Sequence, residues 1–381
     1  AIRLDALTIY GTRQTTTLHE GTDIRTDEGI LIDDAIRVDG AASLTAGVTP
    51  GNAPLKVLGT IVGGTGASDT LTLKAGGAVN LDSNIGQGIA RLGIVAPGSQ
   101  YADGRYESVA LLGGSGSGAT ATITVSGGAV TAVQVAGTGA GYQVGDRLRV
   151  ARSSLGLLEA SGGGLDLRID ELLTLEGLVI ESGADVTLAG NLAVAGDVRV
   201  RAAGQVTIAG AVTLSGGGRL IIEQAQRIVF SSTLGLGSQT ASAPSLSIAS
   251  NDAEIEFATG LSGADGNRIR LTGVDTLAMT LDSSGAVASV ALSGEALRLL
   301  PASGRTTTAL TTPALRISTA SLSALSTDLL GNTGSIGRLS LVSDADIGSA
   351  TEPLRITGPI DLQSLSGSIY ASSSGSASIA R

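Results

Sequence analysis

Residues 186–222 read VTLAGNLAVAGDVRVRAAGQVTIAGAVTLSGGGRLII, and the architecture follows from this stretch. Apolar and polar residues alternate in triplets: Val186-Thr187-Leu188, Val198-Arg199-Val200, Val206-Thr207-Ile208 and Val212-Thr213-Leu214. Period-2 runs of this kind place apolar side chains on one face of a strand, and Gly or Asn punctuates each run. The triplets recur: Val186 to Val206 and Val194 to Leu214 are each 20 residues, and Val198 to Leu220 is 22. One period holds three strand cores, Val186–Leu188, Leu192–Val194 and Val198–Val200. The next holds Val206–Ile208, Val212–Leu214 and Leu220–Ile222. Three short strands per period predict an all-β chain, a right-handed parallel β-helix (a solenoid) of about 20 residues per coil, with inward columns of Val, Leu, Ile and Ala. An antiparallel β-sandwich array is the rival reading, but tight hairpin dipeptides such as Asn-Gly are lacking between the strands.

Composition agrees with a narrow three-sided core. Gly supplies 56 of 381 residues, aromatics 2% and charged residues 15%, while the hydrophobic share is 42%. Small and β-branched apolar residues argue against disorder, and Gly does not recur every third position as in collagen. Cys is absent and His19 is the one histidine, which excludes Cys nucleophiles and the common zinc sites. A net charge of −10 argues against a general nucleic-acid partner. No run of 18 apolar residues is present, so no helical membrane span is expected. Lack of Cys fits an extracellular, disulfide-free bacterial surface protein. The chain opens directly on a strand-like alternation, Ala1 to Tyr10, with neither Met nor a signal sequence, and closes as abruptly. Both ends read as those of a processed product or of a segment of a longer polypeptide.

Residues 101–150 break the rhythm. They contain three of the five tyrosines, Tyr101, Tyr106 and Tyr142, and a hairpin candidate: Ala121–Val125, then Ser126-Gly127-Gly128, then Val130–Val135. The expected organisation is therefore coils over 1–100, an inserted β-hairpin-type module over 101–150, and coils over 151–381. Insertions into repeat proteins fall at turns and often carry the binding face.

Two sets of residues carry a resemblance. Ile61-Val62-Gly63-Gly64-Thr65-Gly66-Ala67-Ser68-Asp69-Thr70-Leu71-Thr72-Leu73, with Gly76 to Leu81, Asn84-Ile85-Gly86 and the stretch Ala345 to Ile356, resembles the repeats of filamentous-haemagglutinin-like large exoproteins and giant bacterial adhesins. That resemblance covers about two-thirds of the chain through repeat style. It implies a secreted β-helical rod that holds cells to surfaces or to each other. The second set is Gly116-Ser117-Gly118-Ala119-Thr120-Ala121-Thr122-Ile123-Thr124-Val125 with the ending Gly139-Ala140-Gly141-Tyr142-Gln143-Val144-Gly145-Asp146. It resembles a short Gly-rich module of phage virion and bacterial surface proteins, which implies an exposed structural or interaction module.

Each candidate site has a plainer alternative. Gly63 to Asp69 is similar to the G-G-x-G-x-D calcium nonapeptide, with Asp69 as the ligand, but it holds one extra residue and has no tandem copy, so a plain turn reads it as well. Acidic corners at Asp23/Asp27/Glu28 and Asp33/Asp34 could offer oxygens to calcium or be solvated surface charge. Glu254 and Glu256 share a strand face, followed by Arg268 and Arg270; a sugar-cleaving pair or a carboxylate–arginine surface ladder would explain them. His19 lies beside Glu20 without a second His and reads as a partly exposed structural residue. The Thr15–Thr17 and Thr306–Thr308 runs do not repeat at coil spacing, which favours surface polarity over an ice-binding ladder. Tyr101, Tyr106 and Tyr142 are either a contact surface or the insert's own small core.

The function expected is structural rather than enzymatic: a component of an extracellular fibre or giant adhesin, self-associating end to end or forming part of a longer rod. Assembly junctions are expected at both ends of the chain, at Ile2, Leu4, Leu7, Ile9 and Tyr370. No cofactor is needed, with calcium as the one possibility. Alternatives are a carbohydrate- or cell-binding adhesin segment acting on surface glycans through 101–150, and a trimeric phage tail fibre or tailspike.

Overall fold

A computed structural model describes the backbone of residues 2–10, 15–47, 51–66, 68–156, 164–214, 218–232, 234–236, 246–257, 261–263, 267–281, 287–301, 309–310, 314–324, 338–343, 354–356, 360–364, 368–373 and 377–380. Beyond residue 248 it describes only the side chains of 362–364 and 368–371. Within these residues the chain is an all-β parallel solenoid of about 9 turns at ~23 residues per turn, without an α-helix.

Each turn contributes up to three strands, and each strand stacks in parallel on its counterpart in the next turn. On the first face Ile24 pairs with Leu44, Leu44 with Leu73, Leu73 with Ile180, Ile180 with Val200, and Val200 with Ile222. On the second face Ile32 pairs with Val57, Val57 with Leu81, Leu81 with Leu188, and Leu188 with Ile208. The third face runs Ile36 to Ile61, Ile61 to Ile85, Ile85 to Leu192, and Leu192 to Val212. These residues are the inward columns, and those from Ile32 through Ile222 are at most 2% exposed. Burying each such side chain is worth about 1.5–3 kcal/mol, which is what holds strands of three residues in place. The alternation read from the sequence is visible in Val198–Ala202, where Val198, Val200 and Ala202 are buried and Arg199 and Arg201 are exposed.

Turns are longer on average than the expected 20 residues because their corners differ. Leu44 and Leu73 are partners at a spacing of 29, whereas Ile180 and Val200 are partners at a spacing of 20. At one corner backbones touch: a Cβ on Gly210 would overlap the Gly190 carbonyl, and one on Gly190 would overlap the backbone of Ser83. Only Gly permits that stacking distance.

Among the described residues the coil is interrupted once, by an antiparallel excursion, and residues 101–150 lie inside it. The strand Ile85–Pro97 starts in the coil, then leaves it to pair antiparallel with Leu165–Thr174. Between them lie Gly104–Leu112, Ser117–Ser126, Ala129–Ala140 and Arg147–Val150, all antiparallel to their neighbours, and a single 3₁₀ turn at Arg152–Leu155. The hairpin forms where its residues suggest. Val125 pairs with Val130, and Gly127 and Gly128 have φ of 64° and 75°. Positive φ at both central residues is the type I′ geometry that matches strand twist. The excursion has its own core, including Ile89, Val109, Ile123, Leu148 and Ile169, separate from the core of the coil. Its two ends meet, since Leu175 donates its N–H to the Gly86 carbonyl at 2.7 Å.

Candidate functional site

Asp69 is 1% exposed, and its carboxylate joins two neighbouring loops. One oxygen accepts the Gly40 N–H at 2.6 Å and the other accepts the Gly64 N–H at 2.8 Å. The carboxylate that the glycine-rich stretch offered to calcium is thus a staple between turns, because backbone donors reach it first. Among the described residues no group of three or more His, Asp or Glu side chains gathers around a common point.

Tyr101 and Tyr142 belong to the core of the excursion, and the half-buried Tyr106 packs against it. Tyr101 and Tyr142 are 3% and 2% exposed. The Tyr101 hydroxyl accepts the Leu165 N–H at 3.0 Å, and the half-buried Tyr106 hydroxyl donates to the Ala102 carbonyl at 2.8 Å. Tyr142 lies between two glycines: a Cβ on Gly116 would come within 2.6 Å of its ring, and one on Gly139 within 2.7 Å. Burial pushes the Tyr142 phenol up from its ordinary pKa. Asp146 closes the motif by accepting from the Ser115 hydroxyl at 2.6 Å, the Ser115 N–H at 2.9 Å and the Gln143 N–H at 3.0 Å. Those bonds hold its carboxyl below the usual carboxylate range, with the Ser115 hydroxyl the largest cause. The Gly, Tyr and Asp of the module are therefore one folding unit.

Ile2, Leu4, Leu7 and Ile9 form the apolar layer of the first turn. Leu7 and Ile9 pack against the core, while Ile2 and Leu4 remain 57% and 37% exposed. Tyr370 does not share that environment. Its neighbours Ile369 and Ala371 pack on the core, and Tyr370 itself is 37% exposed between them.

Strand register separates the carboxylates from the arginines that follow them. Glu254 is the partner of Arg227 on one face, whereas Arg270 is the partner of Ser247 on another. His19 is exposed and pairs in register with Asp39. Thr15, Thr16 and Thr17 pair with Ala35, Ile36 and Arg37, not with other threonines. Thr306–Thr308 lie outside the described residues.

The feature that sequence did not assemble is a cleft of about 540 Å³ between the coil and the excursion. The coil contributes Thr15, Asp33, Asp34 and Thr60 at its corner, and the excursion contributes Ser108, Thr120 and Thr138. Ser108 has φ 52°, in the left-handed region, at a bulge between Tyr106 and Val109. Such backbone costs on the order of 1 kcal/mol for a non-Gly residue and concentrates at functional sites. Gly88 lets the two bodies approach, since a Cβ there would lie 2.6 Å from Thr138 and 2.9 Å from Val62. Asp34 is 8% exposed, and among the described residues no hydrogen bond or ion pair reaches its carboxylate. The other acidic corners differ: Asp27 pairs with Arg3 at 2.7 Å and Asp23 with Arg25 at 2.9 Å. Asp33-Asp34, Thr15 and the 101–150 insert were each singled out in the sequence, but nothing there joined them into one cleft, because Ser108 and Thr138 lie 74 and 104 positions beyond Asp34.

The geometry defines a β-solenoid carrying an antiparallel excursion. No family model, curated protein or solved structure matches the chain closely enough to place it in a family. No helix among the described residues is long and apolar enough to cross a membrane.

Proposed function

We propose that the chain is a non-catalytic rod segment of an extracellular, cell-surface fibre or giant adhesin, the kind of protein its repeat style resembles. The observation that carries this reading is the parallel stack, in which each turn templates the next, as the first described strands illustrate. Ile2–Leu4, Leu7–Ile9 and Thr15–His19 are each paired on one side only among the described strands, with Ile24, Ile30 and Ile36 among their partners. Among the described strands nothing pairs with their other edges, which stand above a partly exposed apolar layer. A further turn, from another copy or from the same polypeptide, would continue every ladder in register. A head-to-tail contact of that kind does not close, so copies of the chain would join into filaments. Neighbouring copies are its first partners, and surface glycans the second.

The scattered carboxylates support a mechanical role over a catalytic one: Glu254 and Arg270 stand on different faces. Electron microscopy of the purified protein at rising concentration tests the reading, beside a double variant Ile2→Lys, Leu4→Lys. The expected result is rods that lengthen end to end, and single rods in the variant. Single wild-type rods at every concentration would reject self-association. Compact particles would overturn the rod itself.

A further inference from the structure

We propose that the cleft between the coil and the excursion binds a neutral, hydroxyl-rich small molecule of the mono- to disaccharide class. This stands whether or not the rod self-associates.

Size comes first. At about 540 Å³ the cleft lies within the few hundred to 1,000 Å³ of small-ligand sites and is far too roomy for a lone ion. A calcium ion needs six to eight oxygens converging at about 2.3–2.6 Å, and no cluster of acids forms among the described residues.

Charge comes second. Asp33 and Asp34 line the cleft, and no Lys or Arg lines it. Two carboxylates without a cation repel phosphates, sulfates and uronic acids, and favour a ligand that donates hydrogen bonds without bringing negative charge.

The hydrogen-bonding inventory comes third. Asp34 as a whole is 8% exposed, its carboxylate faces the cleft, and no donor among the described residues reaches it, which leaves it as an acceptor for an incoming group. Vicinal sugar hydroxyls would meet it as paired donors in place of water. Across the cleft, the Ser108, Thr120 and Thr138 hydroxyls can both donate and accept, which matches a polyol on its other edge. Ala136, exposed in the wall, adds apolar surface for the C–H face of a ring.

Saturation-transfer NMR on the full chain tests this with glucose, galactose, mannose, N-acetylglucosamine and their β-linked disaccharides, with glucuronic acid and calcium chloride as contrasts. At least one neutral sugar is expected to bind, with affinity lowered at least roughly tenfold in Asp34→Asn and in Thr138→Val, and glucuronic acid is expected to give no signal. Thr138→Val carries the test if Asp34→Asn does not fold. Silence from the whole neutral panel would overturn the proposal, as would sugar binding that neither variant weakens. Calcium binding lost in Asp34→Asn with no sugar bound would replace it with a metal site.

Discussion

Asn191 donates its backbone N–H to the side-chain carbonyl of Asn84 at 2.8 Å, across 107 residues of chain. Asn191 then repeats the arrangement one turn on, where its own side-chain oxygen accepts the Ala211 N–H at 2.9 Å. The two bonds form a ladder along one corner of the solenoid and run straight past the excursion. Position 211 is Ala, so the ladder stops there. Replacing Asn84 or Asn191 with Ala is expected to cost about 1 kcal/mol each, because each removes one side-chain acceptor from a corner N–H. Thermal melting of the single variants and of the pair would measure it. The pair should lose about the sum, since each bond is made by a different side chain.

Asp69 is predicted to be more costly to remove. Asp69→Ala would leave the Gly40 and Gly64 N–H groups without their acceptor in a site that is 1% exposed. A loss of about 3 kcal/mol or more is expected, with Asp69→Asn falling between because it keeps one acceptor oxygen. Adding calcium or a chelator should leave the wild-type melting curve in place. A shift of several degrees on calcium removal would show that Asp69 holds an ion as well as the turn.

The excursion is predicted to be dispensable for the coil. Thr70–Ala75 already pairs with Gly177–Ser182 residue for residue, and Gly86 already hydrogen-bonds Leu175. Replacing residues 88–173 with a short Gly-Ser linker should therefore preserve the β circular-dichroism spectrum and a cooperative melt. Loss of folding would mean that the core around Ile123 and Leu148 supports the coil. The same deletion removes the cleft, so any sugar binding should vanish while end-to-end assembly survives.

Acid should loosen one corner first. Asp197 accepts from the Arg219 guanidinium at 2.6 Å and 3.1 Å, and this partner holds its carboxyl below the usual carboxylate range. A depressed carboxylate pKa contributes stability that is complete above the unfolded value, about pH 4, and is lost as pH falls through the lower folded value. Wild-type melting temperature should thus fall more steeply below about pH 4 than that of Asp197→Asn, and the two should differ most near neutrality. Parallel curves would mean that the Asp197–Arg219 pair adds nothing to stability.

The alternation from Val186 to Ile222 was enough to place strands, inward columns and a parallel stack, because a strand of three residues survives only by burying its two apolar side chains against the turns above and below. Val198, Val200, Leu220 and Ile222 sit inward as that pattern required, and a hairpin about Ser126-Gly127-Gly128 was equally legible, although its two-residue I′ geometry at Gly127-Gly128 was not. Both are local properties, written within a few residues.

Whatever depended on which residues meet across long spans of chain was settled by tertiary packing. Tyr101 and Tyr142 are core because the excursion folds around them, a fate that Tyr in a glycine-rich stretch does not announce. Asp69 became a staple because Gly40, 29 residues earlier, delivered its N–H first. Asp34 was left unmet among the described residues while Asp23 and Asp27 found arginines, and the cleft that gives Asp34 meaning exists only because Thr138 docks beside Val62 over Gly88. Periodicity reports which way a side chain points, since that is set by its own backbone. What the side chain finds there is set by stacking, and stacking distance between turns is carried by no single stretch of sequence.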